Sequence, residues 1–261
     1  MKIGYLQFNP VFGKNDKNRE QIKIKLNNIK ADIIVIPELP VSGYFFSTKQ
    51  EAEMLAEPIP GATTSMLQKI SAETGTYFVC GILEKSNEDL YNSAVLVGPN
   101  GLISTYRKTH LFYDEKKFFK PGNDYSIVVI KGVKIGILVC FDHLFPEAAR
   151  TLALMGAQII CHPSNLVLAE IAQQTTRVRA LENRVFWIMA NRYGSETKNG
   201  KTLTYTGESQ IIAPNGGIIH RAKPEGDEIY ITEINPEDAL EKNITEFNNV
   251  FEDRRTDIYR I

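Results

Sequence analysis

Three residues of this sequence have the types and settings for acyl-transfer chemistry: Cys140, Glu38 and Lys108. A thiol attacks an electrophilic carbon, a carboxylate accepts and returns the proton, and an ammonium stabilises the oxyanion that forms in a water-poor pocket. Cys140 ends the uncharged run 135–139, which reads as a strand buried on both faces. Pro146 and Glu147 then suit the first turn of a helix, one by its fixed φ and missing N–H, the other by its charge. A cysteine between such a strand and helix lies where open α/β sheets place ligands, and the nearby N–H groups and helix dipole favour a thiolate. Glu38 follows the run 32–36 in the same manner, and Lys108 opens the segment 107–122, charged, aromatic and without a period. A loop that long inside a compact domain usually carries function. Each residue also has a plain alternative: a small apolar core residue for Cys140, a solvated loop carboxylate for Glu38, a surface charge for Lys108. Their coincidence favours chemistry.

The elements that must position them alternate between β-α units and hairpins. Strands are expected at 2–8, 32–36, 76–84, 90–97, 102–106, 135–139, 158–161, 186–190, 208–213 and 228–234. Helices are expected at 16–29, 48–56, 63–74, 148–155 and 168–184, the third stopped by Gly75. The turns S-N-E-D, G-P-N-G and P-N-G-G suit antiparallel hairpins, and residues 191–207 receive no element. There is no repeat and no low-complexity segment.

Composition narrows the class. Thirty basic against thirty-one acidic residues in a chain of 261, 43% of it hydrophobic, give no footprint for nucleic acid or a membrane surface. The N-terminus enters a strand-like run without a signal core, and no apolar run is long enough to span a bilayer, so the expected setting is cytoplasmic. Cys80, Cys140 and Cys161 are an odd number at wide spacing, which argues for thiols and against a disulfide framework. Cys80 and Cys161 read as buried strand residues. His110, His143, His162 and His220 lack metal-ligand spacing, so no metal is expected. A serine hydrolase is excluded by the lack of G-x-S-x-G. Arg179 and Glu182 have the spacing of a structural pair within a helix.

The segments P-E-L-P-V-S-G-Y (37–44), Y-R-K-T-H-L-F-Y-D-E-K-K-F-F-K-P-G (106–122) and C-F-D-H-L-F-P-E (140–147) resemble, in order and spacing, the three signature segments of the nitrilase superfamily, the carbon-nitrogen hydrolases. The resemblance covers essentially the whole chain, including A-L-E-N-R (180–184) and D-R-R-T-D-I-Y (253–259), and looks closest to archaeal nitrilase-like hydrolases. It implies a four-layer α-β-β-α sandwich with two mixed six-stranded sheets, formed by residues 1–261 as one carbon-nitrogen hydrolase domain. It implies Cys140 as nucleophile, Glu38 as general base and then acid, and Lys108 as the oxyanion-stabilising ammonium. Glu115 matches the family's second glutamate, which helps orient the polar groups, and the Phe141 N–H is the second oxyanion donor. The reaction needs no cofactor and passes through a thioester. Members pair through their outer helices, and the tail 247–261 is expected at a homodimer interface.

Tyr44, Phe112, Tyr113, Phe141, His143 and Asn165 lie on or beside these segments and are expected to line the substrate pocket. Members acting on nitriles commonly carry Trp-Glu after the nucleophile. This chain has Phe141-Asp142, which favours a small-molecule amide over a nitrile, with N-carbamoyl amines a further alternative. An acidic substrate would call for an arginine, for which Arg177 and Arg192 are the candidates.

Overall fold

The computed structural model of the protein describes residues 1–260. The first half of the chain runs β1 (Lys2–Gln7), α1 (Asn15–Leu26), β2 (Ile33–Ile36), α2 (Lys49–Leu55), α3 (Ala62–Thr74), β3 (Tyr77–Ser86), β4 (Asp89–Gly98) and β5 (Gly101–Arg107). After the short helix α4 (Glu115–Phe118) come β6 (Ile127–Ile130), β7 (Val133–Ile137), α5 (Pro146–Leu154), β8 (Ile159–Ser164), α6 (Ile171–Asn183) and β9 (Phe186–Asn191). The chain closes with β10 (Tyr193–Lys198), β11 (Lys201–Thr206), β12 (Gln210–Ile212), β13 (Ile218–Arg221), β14 (Glu228–Glu233), β15 (Asn243–Thr245) and β16 (Asn248–Asn249).

Among the described residues these strands form two six-stranded sheets, ordered β14-β1-β2-β3-β4-β5 and β13-β12-β9-β8-β7-β6. Each has a parallel centre, β1-β2-β3 in one and β7-β8-β9 in the other, with antiparallel neighbours outside it. The uncharged centre of β2 shows why the layers stack. Alternate residues of a strand face opposite sides, so Ile33 and Val35 enter the core shared with Ile135, Ile159 and Trp187 of the second sheet. Ile34 and Ile36 enter the separate cluster formed with Ile22 and Leu26 of α1 and Leu67 and Ile70 of α3. Ala148 and Leu152 of α5 and Ala180 of α6 cover the far face of the second sheet. The result is the expected α-β-β-α sandwich, and no helix among the described residues is long and apolar enough to cross a membrane.

Several boundaries differ from expectation. β7 ends at Ile137, two residues before the apolar run stops, and a 3-10 turn over Cys140–Leu144 separates it from α5. α1 stops at Leu26, because Asn28 takes a left-handed φ of 58°. α6 begins at Ile171, leaving Leu168 in the connecting turn. The unassigned stretch holds the β10-β11 hairpin, turned at Asn199-Gly200 with φ of 49° and 72°. Asn-Gly is a strong two-residue hairpin signal, and the polar flanks obscured it. β6 likewise went unassigned.

Candidate active site

Glu38, Lys108 and Cys140 converge because each leaves the carboxyl end of a strand, β2, β5 and β7 in turn. The Glu38 turn requires close packing. Leu39 has φ of 44°, and β3 passes so near that a Cβ on Gly81 would lie 2.5 Å from the Glu38 Cα. The loop after β5 closes on itself where the Gly122 N–H donates to the Lys108 carbonyl at 2.9 Å. Here too only glycine fits, since a Cβ would meet the Arg107 carbonyl oxygen at 2.1 Å.

Inside this frame four side chains form a ring. Lys108 Nζ donates to Glu38 Oε1 and Glu115 Oε1, both at 2.9 Å. Asn92 Nδ2 donates to the same two oxygens at 2.6 and 3.0 Å. Glu115 Oε2 accepts from the Phe112 N–H at 2.8 Å, whereas Glu38 Oε2 is buried without a partner among the described residues. An ammonium has three donors, so Lys108 keeps one free. Burial opposes the charge on Lys108, but the Glu115 and Glu38 carboxylates win and hold its pKa well above the usual lysine value. Burial pushes the Glu38 pKa up, with Glu115 adding to the rise and Lys108 opposing it.

Cys140 is buried, with a left-handed φ of 45° that a non-glycine residue adopts only when its surroundings hold it. Asp142 provides much of that hold. Its Oδ2 accepts from the Val139 N–H at 2.9 Å and the Tyr106 hydroxyl at 2.8 Å. Its Oδ1 accepts from the His110 N–H and the Thr109 hydroxyl, both at 3.1 Å. One carboxylate therefore ties the cysteine turn to the lysine loop. Burial disfavours its charge, yet the His110 ring and the Val139 N–H lead the contacts that keep the Asp142 pKa below the usual carboxylate value. Two further side chains fix the turn: His162 Nε2 donates to the Cys140 carbonyl at 2.8 Å, and Arg179 Nε donates to the His143 carbonyl at 3.2 Å. Arg179 also makes the expected pair with Glu182, at 2.8 Å.

The thiolate expectation needs correction. Burial first, then the Glu38 charge, push the Cys140 pKa well above the ordinary thiol value, and Lys108 and the Asn165 N–H offset only part of this. The resting cysteine is a thiol beside a carboxylate that carries an unfilled oxygen. This arrangement is suited to proton transfer from sulfur to Glu38 as a bond forms to carbon, with the ammonium nearby for a developing oxyanion.

Cys140 borders a cavity of about 90 Å³ lined also by Phe112, Phe141, His143 and Asn165, four of the six residues expected there. Tyr44 and Tyr113 instead line an adjoining cavity of about 30 Å³ with Glu115, and Tyr113 is 66% exposed. Phe112 and Val167 border both spaces. Arg177 donates to the Gly216 carbonyl and Arg192 is paired with Glu196 at 2.6 Å, so neither lines the cavity. Among the described residues no three His, Cys, Asp or Glu side chains form a set that could hold a metal ion. Sequence reading missed Asn92 and the bracing roles of Asp142 and Arg179. The available signal was the buried polar pair Asn92-Ser93 directly before the apolar residues Ala94, Val95, Leu96 and Val97 of β4.

Comparison with known proteins agrees with this geometry. Residues 2–242 match the family model described as carbon-nitrogen hydrolase. The chain is 40% identical to a protein named nitrilase from Pyrococcus abyssi, over 99% of each chain. It is 30% identical to an N-carbamoylputrescine amidase of Solanum lycopersicum, over 88% of this chain and 83% of the relative. The solved structure of a carbon-nitrogen hydrolase from Helicobacter pylori G27 superposes with a TM-score of 0.83 at 25% identity, covering 99% of this chain and 96% of that one.

Proposed function

The chain belongs to the carbon-nitrogen hydrolase family of the nitrilase superfamily, and from that premise we propose that it hydrolyses a small-molecule amide through an acyl-enzyme on Cys140. The observation that carries this reading is the unpartnered Glu38 Oε2 in a ring whose other carboxylate oxygens are filled.

The sequence of steps follows from the groups present. The Cys140 thiol gives its proton to Glu38 while the sulfur bonds to the amide carbon, and the carbonyl π pair moves to oxygen beside the Lys108 ammonium. Collapse of the tetrahedral species breaks the carbon-nitrogen bond, and the leaving nitrogen takes the proton from Glu38. Water then gives a proton to Glu38 and attacks the thioester, and the departing sulfur recovers that proton. The products are a carboxylic acid and ammonia or an amine. Glu115 and Asn92 position the Lys108 and Glu38 side chains. Phe141-Asp142 after the nucleophile supports an amide.

The relative named nitrilase supports a second reading, in which a nitrile is the substrate and water adds after thioimidate formation. Kinetics on amide, carbamoyl and nitrile compounds of one carbon skeleton separate the readings. Intact-mass spectrometry with a primary amide is expected to trap a covalent acyl adduct on the wild type and none on Cys140→Ala. If there is neither adduct nor ammonia release across the panel, the proposal fails.

Residues 1–261 act as one catalytic domain in this reading, and the tail from 247 packs against a second copy. Phe247 is 84% exposed, and Leu154, Val178 and Leu181 leave an apolar stripe on the outer helices, as a homodimer would require. A monomeric mass by light scattering at micromolar concentration would overturn the pairing.

A further inference from the structure

The cavity above Cys140 differs from the ring beneath it in having no formal charge in its walls. Phe112 and Phe141, with ring centres 5.1 Å apart, give it an aromatic part, and Leu144, Val167, Leu168 and Ile171 an aliphatic one. Among the described residues no Lys, Arg, Asp or Glu lines it. His143 does not supply a charge, because burial and the neighbouring His162 and Arg179 lower its pKa to about 3. Its Nδ1 is engaged with the Thr175 hydroxyl at 2.6 Å. One polar side chain is left uncommitted. Asn165 is 2% exposed, and neither its Nδ2 nor its Oδ1 has a partner among the described residues. A buried carboxamide without partners loses the hydrogen bonds it would make in water, and a bound ligand that restores them gains by the same amount.

We propose that the site selects short, uncharged primary amides, with the acyl chain held between the aromatic and aliphatic walls and the Asn165 carboxamide facing the substrate's own amide. This deepens the amide-hydrolase reading above and rests on it. A primary amide offers the acceptor and the donors that complete an unpaired carboxamide. The cavity of about 90 Å³ is small beside the several hundred Å³ of a typical ligand site, which keeps the acyl chain it can enclose short. A carboxylate on that chain would be stripped of water without a cation to meet it. An ammonium fares no better. Both Glu115 oxygens and Glu38 Oε1 already have partners, and Glu38 Oε2 is reserved for the proton.

The test compares acetamide, propionamide, butyramide, hexanamide, N-methylbutyramide, 4-aminobutyramide and succinamate, by turnover on the wild type and by calorimetric binding to Cys140→Ala. The expected kcat/KM rises about fourfold per added CH₂ up to butyramide and is flat beyond it. It is at least about 100-fold lower for the two charged amides, and at least about tenfold lower for N-methylbutyramide. Charged amides within tenfold of butyramide, a rise that continues through hexanamide, or N-methylbutyramide equal to butyramide would each overturn the proposal. The binding arm keeps the two readings apart. Binding that ranks neutral above charged amides without any turnover sinks amide hydrolysis and leaves the pocket assignment standing. Turnover with no such ranking does the reverse, and the absence of both binding and turnover overturns the two together.

Discussion

Two buried ion clusters in this molecule are made of similar parts for opposite ends. In one, Lys108 meets two carboxylates, so the cluster carries an excess negative charge and one carboxylate oxygen stays unfilled. In the other, Arg192 meets the single carboxylate of Glu196, whose oxygens also accept from the Phe45 N–H and the Tyr205 hydroxyl, each at 2.8 Å. The Arg192 guanidinium lies 3.9 Å from the centre of the Tyr205 ring, and its NH2 group donates to Asn9 at 2.8 Å. The planar fork suits a fixed structural role even with its Nε unpaired, and the compact ammonium suits a changing one. The second cluster fastens the backbone at Tyr44 and Phe45 to β10, and the first has an unfilled oxygen to receive a proton. What separates an active site from a brace here is therefore charge balance and an unfilled oxygen. Burial is common to both.

The largest expected effect strikes the first cluster. Glu38→Gln removes the proton acceptor and lowers kcat/KM by about 10⁴, while the urea midpoint holds or rises because an excess buried charge is gone. A loss of less than tenfold would end the base assignment. Glu196→Ala should invert the pattern: unfolding free energy falls by about 3–5 kcal/mol because Arg192 is stranded, and turnover of the folded fraction stays within about tenfold. Comparable damage to kcat would erase the distinction drawn above. The smallest effect lies on the pH axis. Glu38 must be ionised to accept the thiol proton, so kcat/KM rises with pH through its raised pKa, and the acid limb belongs to the coupled group. Because the Glu115 charge contributes to that rise, Glu115→Gln should move the acid limb to lower pH. Glu196→Ala should leave it in place. A limb unmoved by Glu115→Gln would show that the like charge does not act on Glu38.

The first cluster was largely legible in the sequence and the second was not, for physical reasons. Glu38 and Cys140 each end an apolar run, where a chemically active residue stands out from its neighbours, and Lys108 opens a long loop without a period. Arg192 and Glu196 sit in a polar stretch where charge is unremarkable, and their burial depends on a hairpin signalled only by Asn199-Gly200. Asn92 escaped notice because a single polar residue in a strand does not reveal what it faces. Asp142 was read only as half of the Phe141-Asp142 pair after the nucleophile, since its partners Tyr106, Thr109 and His110 come from more than thirty positions away. The thiolate expectation erred because proximity to a helix start is visible in sequence, whereas burial beside a carboxylate is not.

The cavity over Cys140 is also uneven in how firmly its sides are held. Glu38, Lys108 and Asp142 are immobilised by several contacts each, but on the rim Leu144 is 42% exposed and Leu168 50%. For protein engineering this means the reactive half and the selective half are separable. A library randomised at Leu144, Val167, Leu168 and Ile171 can change which acyl chains enter while leaving the buried charges in register. In a lineage, new substrates would be reached by drift on the rim without passing through inactive intermediates.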